Sequence, residues 1–166
     1  MWCGSVCRTM GAHQHNVDHP HARVLDDYAD KYTNNKLDEF DEVLHPDLQI
    51  RELLGIETAF SYDEYIDWAQ GVLEAFPDVE LINYNHIIEG EMIATRTVMT
   101  GTHQGELLGI PPTEAEVEIP WQLQCRIKNS KVIEKWDKPD AFRLFTQIGE
   151  FPEPDALPDV NPSLYR

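Results

Sequence analysis

Two residues of this 166-residue chain carry side chains suited to proton transfer and stand in unusual local sequence: Asp137 in "EKWDKPD" and His103 in "GTHQGELLGIPPT". A carboxylate in a dry site has its pKa raised by desolvation, which makes it a better base that still cycles its proton. An imidazole titrates near neutrality without help. Each residue also has a purely structural reading. Asp137 stands just before Pro139, where it would help start a closing helix, and His103 would brace its loop by hydrogen bonds to backbone. Arg96, mid-strand in "MIATRTVMTGT", is placed either to orient a carbonyl or carboxylate ligand or to pair with Asp137 or Glu134.

The elements that must position these groups are legible from periodicity. In "HARVLDDYADKY" the residues Val24, Leu25, Tyr28, Ala29 and Tyr32 recur at helical spacing. "NNKLDEFDEVLHPD" repeats the device as a short helix, with Leu37, Phe40, Val43 and Leu44 inward and Pro46 helping to end it. "SYDEYIDWAQGVLEAFPD" opens on a capping box, Ser61 with Glu64, carries the stripe Tyr65, Ala69, Val72, Leu73 and Phe76, and stops at Pro77. Tyr28, Tyr32 and Trp68 read as core or as the wall of a pocket.

The second half reads as strands. "VELINYNHII" and "MIATRTVMTGT" flank a short glycine turn, "EAEVEIPWQLQCRI" alternates, and "KVIEKWD" follows "KNSK". Trp121, Leu123 and Cys125 share one face of their strand, and Gln122, Gln124 and Arg126 the other. His86 alternates with Ile82, Tyr84 and Ile88 and receives no role. A last helix, "PDAFRLFTQIG", is read with Pro139 at its first position and Gly149 at its end. The order is helix, helix, strand, helix, four strands, helix. It predicts an α+β fold: a curved, mainly antiparallel sheet with helices covering one face and a small-molecule pocket between.

Length and composition predict one domain, residues 18–149, between a loose arm (residues 1–17) and a proline-rich acidic tail (residues 150–166). Thirty acidic residues against thirteen basic ones give a net charge of −17. Such a surface repels phosphate backbones and anionic lipid, so no nucleic-acid or membrane partner is expected. The acidity fits either general solubility or a saline habitat, where salt screens self-repulsion. No apolar run reaches the roughly 18 residues of a membrane span. The start lacks the pattern of a secretory signal, and Cys3, Cys7 and Cys125 are too few for a disulfide scaffold, so cytoplasm is the expected location. Cys3, Cys7, His13, His15, His19 and His21 are zinc-ligand types, but their spacing matches no closed site, and no metal is expected.

Three stretches carry a resemblance: "AFPDVEL", "IATRTVMTGTHQGELLGIPPT" and "KVIEKWDKPDAFRLFTQIG". They resemble the SnoaL-like polyketide cyclases, within the nuclear-transport-factor-like superfamily of cone-shaped α+β domains. The middle pattern is met by Arg96, Gly101, Thr102, His103, Gly105, Gly109, Pro111, Pro112 and Thr113. The resemblance spans roughly residues 20–149 and implies that the glycine- and proline-rich excursion closes the mouth of the cone. Leu107, Leu108 and Ile110 then fold back on the pocket or meet another subunit. It also implies a cofactor-free intramolecular aldol condensation on a polyketide ester, with an aspartate at the position of Asp137 as general acid and base. Active cyclases place an assisting histidine on the neighbouring strand; here that strand reads "WQLQCR", without one. His103 is the substitute the sequence offers.

Two functions follow as expectations. One is a cyclase, isomerase or lyase acting on a small apolar or carbonyl compound, with Asp137 and His103 catalytic and Arg96, Trp121, Leu123, Tyr28, Tyr32 and Trp68 lining the site. The other is a non-catalytic module that binds an apolar ligand or dimerises. A homodimer is expected through the outer sheet face near Gln122, Gln124 and Trp136.

Overall fold

A computed structural model of the protein describes residues 18–54 and 56–152. The arm 1–17 lies outside the described residues, as does the tail from residue 153 onward. Along the chain come α1 (Pro20–Thr33), a 3-10 turn (Leu37–Glu42), β1 (Leu44–Leu53), β2 (Ile56–Phe60), α2 (Tyr62–Ala75), β3 (Glu80–Glu89), β4 (Met92–Thr102), β5 (Glu116–Lys128), β6 (Lys131–Pro139) and α3 (Ala141–Ile148). The six strands form one sheet in the order β2-β1-β6-β5-β4-β3. All neighbours are antiparallel except β1 and β6. The fold is the α+β class that the order of elements predicts.

Period-two burial decides which face is covered. Along β5, Val117, Ile119, Trp121, Leu123, Cys125 and Ile127 are buried, while Gln122 and Gln124 are exposed. The buried side chains of α1, α2 and α3 pack with these strand residues into one core. Register breaks in four strand pairs accompany the bending of the sheet. α2 begins as expected: Glu64 Oε2 accepts the backbone N–H of Ser61 at 2.7 Å and its hydroxyl at 2.6 Å.

Three local expectations are corrected. The second helix is a single 3-10 stretch that stops at Glu42, and Pro46 lies inside β1. Pro46 is tolerated there because the β1–β6 ladder is interrupted between Leu44 and Gln49, where no partner needs its missing N–H. The one strand expected before α2 is two, β1 and β2, paired as a hairpin around Leu54, which takes φ 53°. Pro139 ends β6 instead of opening the last helix, and Asp140 caps α3 by accepting Arg143 N–H at 2.9 Å. Asp137 is therefore a strand residue with no part in the helix start.

Candidate active site

Alternation in β6 turns Lys135 and Asp137 to the inner face, and the antiparallel register sets Cys125 opposite Lys135 and Leu123 opposite Asp137. Both charged residues are sealed, at 1% and 0% exposure. Lys135 Nζ lies 2.8 Å from Asp137 Oδ2. It also donates to Tyr28 Oη of α1 at 2.8 Å and to Tyr65 Oη of α2 at 2.5 Å. The two phenols are hydrogen-bonded to each other. The ammonium sits 4.5 Å from the centroid of the Tyr28 ring and 4.4 Å from that of Tyr65, an added cation–π attraction. From β5, Trp121 Nε1–H donates to Asp137 Oδ1 at 3.1 Å. Oδ2 meets the ammonium in that charge-assisted contact and has no second partner among the described residues.

Burial sets the protonation behaviour of this cluster. Desolvation pushes the Asp137 carboxyl above the ordinary carboxylate range, against the opposing pull of Lys135 and Trp121. Desolvation alone would depress Lys135, but Asp137 and, after it, Tyr28 more than offset it and hold the ammonium protonated. Burial likewise raises Tyr28, Tyr32 and Tyr65, which keeps them neutral donors. The Cys125 thiol, opposite Lys135, is pushed up to about 12 by burial and is inert.

Beside this cluster lies a small apolar cavity of about 30 Å³. Trp68, Val72 and Phe76 of α2, Met99 of β4, Ile119 and Trp121 of β5, and Leu144 and Phe145 of α3 wall it, with Leu107 and Leu108 closing one side. Neither Asp137 nor Lys135 is on its wall. Trp121 belongs to both places, with its indole lining the cavity and its N–H holding the carboxylate.

The loop 103–115 folds back on the pocket, the first of its two expected courses. Leu107 and Ile110 exchange backbone hydrogen bonds of 3.0 and 2.9 Å across a turn in which Leu108 and Gly109 take φ 51° and 79°. At Gly109 glycine meets the positive φ. Gly105 is required for a different reason: a Cβ there would lie 2.1 Å from the carbonyl oxygen of Glu74, because the N–H groups of Gln104 and Gly105 both reach Ala75 O.

The sequence-derived site residues divide. Asp137, Trp121 and Tyr28 converge, Leu123 lies opposite Asp137 in the β5–β6 register, and Tyr32 packs against Tyr28 with tilted rings and centroids 6.0 Å apart. Trp68 lines the cavity. His103 does not join them. It is fully buried in the loop, with Nδ1 3.0 Å from Thr113 Oγ1 and its ring 5.4 Å from that of Phe76, whose other side faces the cavity. Burial lowers its pKa, so it is neutral. Arg96 is exposed on the opposite face of β4, because the alternation that buries Thr95 and Thr97 turns it outward. It pairs with neither candidate carboxylate: Glu134 is held by Arg51 and Arg126, and Asp137 by Lys135 and Trp121. The strand beside Asp137 presents leucine and tryptophan where the resemblance implies a histidine.

Residues 22–148 match the SnoaL-like polyketide cyclase family. This chain belongs to that family. The nogalonic acid methyl ester cyclase of Streptomyces nogalater is 26% identical over 127 residues, covering 75% of this chain and 92% of that protein. Among solved structures, IdmH of Streptomyces antibioticus, a candidate polyketide cyclase, superposes with a TM-score of 0.71 at 22% identity, covering 79% of this chain and 99% of its own. AclR of Streptomyces galilaeus, a candidate hydroxylase, also gives 0.71, at 25% identity and 80% and 97% coverage.

Within this SnoaL-like domain, Lys135 and Tyr65 escape sequence reasoning. Lys135 stands two residues before Asp137 in an alternating strand, a spacing that places both on one face. Tyr65 is read only as the first residue of a helix stripe, and nothing local says that its hydroxyl meets a lysine.

Proposed function

We propose that this protein is a cofactor-independent cyclase of small polyketide-type esters, with Asp137 as its general acid and base. The observation that carries the proposal is a fully buried carboxylate with one oxygen fixed by Trp121 and the other met only by the Lys135 ammonium. Asp137 Oδ2 takes the proton from a carbon α to a carbonyl. The electron pair left behind attacks a second carbonyl carbon of the same molecule, forming the ring C–C bond, and the resulting alkoxide recovers the proton from Asp137. The proton is returned, so the cycle balances without a co-reactant. The apolar cavity receives the hydrocarbon part of the substrate. Trp121 and the 107–110 turn must shift to enlarge it and open the way to Asp137.

One observation supports a second reading, a module that binds an apolar ligand without turnover: the cavity wall is apolar and Asp137 lies behind it. Nogalonic acid methyl ester, the compound in the relative's name, is the first probe for both. Cyclisation that falls on the order of 100-fold in Asp137→Asn, with melting temperature and ester binding kept, is the expected result. An unchanged rate in Asp137→Asn would remove the base. Binding of the ester with no product would favour the module.

The outer face supports a contact between two copies. Ile82 and Ile87 are 38% and 70% exposed there, in register with Val98 and Ala94, and Gln124 neighbours Trp136. Light scattering should show a dimer that Ile87→Glu dissociates, and a monomeric wild type at micromolar concentration would refute it.

A further inference from the structure

Donors and acceptors in the buried cluster do not balance. Lys135 donates to both Tyr28 Oη and Tyr65 Oη and faces Asp137 with the rest of its charge. Of the two phenolic protons, one is used in the Tyr28–Tyr65 hydrogen bond. The second has no acceptor among the described residues. Asp137 Oδ2 is the complementary deficit, a buried carboxylate oxygen with the ammonium as its one partner and a further acceptor site unfilled among the described residues. A buried polar group without a partner costs free energy, and here one donor and one acceptor are left over around a single ammonium.

From this imbalance we propose that the Tyr28–Tyr65 pair, charged by Lys135, is the oxyanion site of the reaction and takes the place of the absent histidine. The inference rests on the cyclase reading above. A carbonyl compound with an acidic α C–H supplies what the cluster lacks: its oxygen accepts the spare phenolic proton while its carbon yields a proton to Oδ2. As the proton leaves, charge moves onto the carbonyl oxygen. A hydroxyl already polarised by an ammonium at 2.5 or 2.8 Å stabilises that charge in a site closed to water. Lys135 acts through the phenols and the carboxylate, so it is a positioning residue. The substrate class is thereby narrowed to carbonyl compounds whose enolate oxygen reaches the two phenols once Trp121 has moved.

The count predicts an unusual mutational pattern. Tyr28→Phe or Tyr65→Phe removes one hydroxyl but frees the proton of the other, so each single variant keeps one donor. Each should lose less than about 3-fold in kcat with the ester probe. Tyr28→Phe/Tyr65→Phe keeps no phenolic donor and should lose on the order of 100-fold or more, with KM little changed. Melting temperatures of the three variants separate lost fold from lost chemistry. Losses in kcat that simply multiply, or a double variant within 10-fold of wild type, would overturn the oxyanion site. If Asp137→Asn still abolishes turnover in that case, the cyclase reading stands without it. An Asp137→Asn variant as fast as wild type would instead bring down the cyclase reading first.

Discussion

Asp137 and His103 are equally buried, and both have the chemistry of proton transfer, but their surroundings differ. Asp137 meets an ammonium, an indole N–H and, one contact further, two phenols drawn from α1 and α2. His103 meets one threonine hydroxyl and a phenylalanine ring, inside a loop stitched to the end of α2. One environment keeps charge in a dry place and leaves an acceptor open to a reacting proton. The other keeps its residue neutral and holds a rim, with Nδ1 on Thr113 and Nε2 likewise without a partner among the described residues, but with no ion pair beside it. The contrast teaches that burial alone does not mark a chemical site; the polar company of the buried group does.

The sharpest way to break the contrast is to remove the cation. Lys135→Met leaves the Asp137 carboxylate sealed without its counter-charge and should cost about 3–5 kcal/mol, read by denaturant unfolding. Adding Asp137→Asn to that variant should recover much of the loss. A cost under about 1 kcal/mol would mean that water reaches the pair.

On the loop side, Gly105→Ala should cost about 3 kcal/mol, because its methyl would meet the Glu74 carbonyl with no flexible atom to give way. Gly109→Ala, strained only by its positive φ, should cost about 1 kcal/mol. Equal costs would show that the rim is not held by the close approach at Gly105.

The smallest effect lies in the pH dependence. His103 has its folded pKa below the ordinary 6.5, so below that pH the unfolded chain takes up a proton that the folded chain refuses. Its contribution to stability is complete above about 6.5 and is lost as pH falls toward the depressed value. Glu114 nearby opposes the shift without cancelling it. The paired carboxylates act lower. Glu134, held down by Arg126 and then Arg51, and Asp78, held down by Thr102, lose their contribution only as pH falls below the ordinary carboxylate range. Asp137, whose carboxyl is raised, acts in the opposite sense, so the test is the difference: from pH 7.5 to 5.5 the wild type should lose melting temperature relative to His103→Asn. Parallel slopes would return His103 to the ranks of exchangeable groups.

Much of this division was open to reading from the residues. The Ser61–Glu64 box, the alternation of β5 and the turn of the 101–113 stretch follow from neighbours in the chain, and the stretch carried the family resemblance with it. Arg96 could have been turned outward by the same alternation, since Thr95 and Thr97 flank it. Pro46 reads as a helix stop and Pro139 as a helix start, but a proline punctuates a helix only where one exists, and both stand in strands where no hydrogen bond is asked of them or the strand is ending.

By itself the sequence determined the class of fold, which residues of each long strand share a face and the tight turn at Gly109, because these depend on contacts a few residues apart. The need for Gly105 comes instead from Glu74 across the fold. Tertiary structure alone decided that Lys135 meets Tyr28 across 107 residues and Tyr65 across 70. Periodicity says that a side chain points inward, but its depth and partners depend on how the helices lie over the sheet and on which strands neighbour each other. The parallel insertion of β1 beside β6 places β6 inside the sheet rather than at its edge, and that position seals a lysine and an aspartate together away from water.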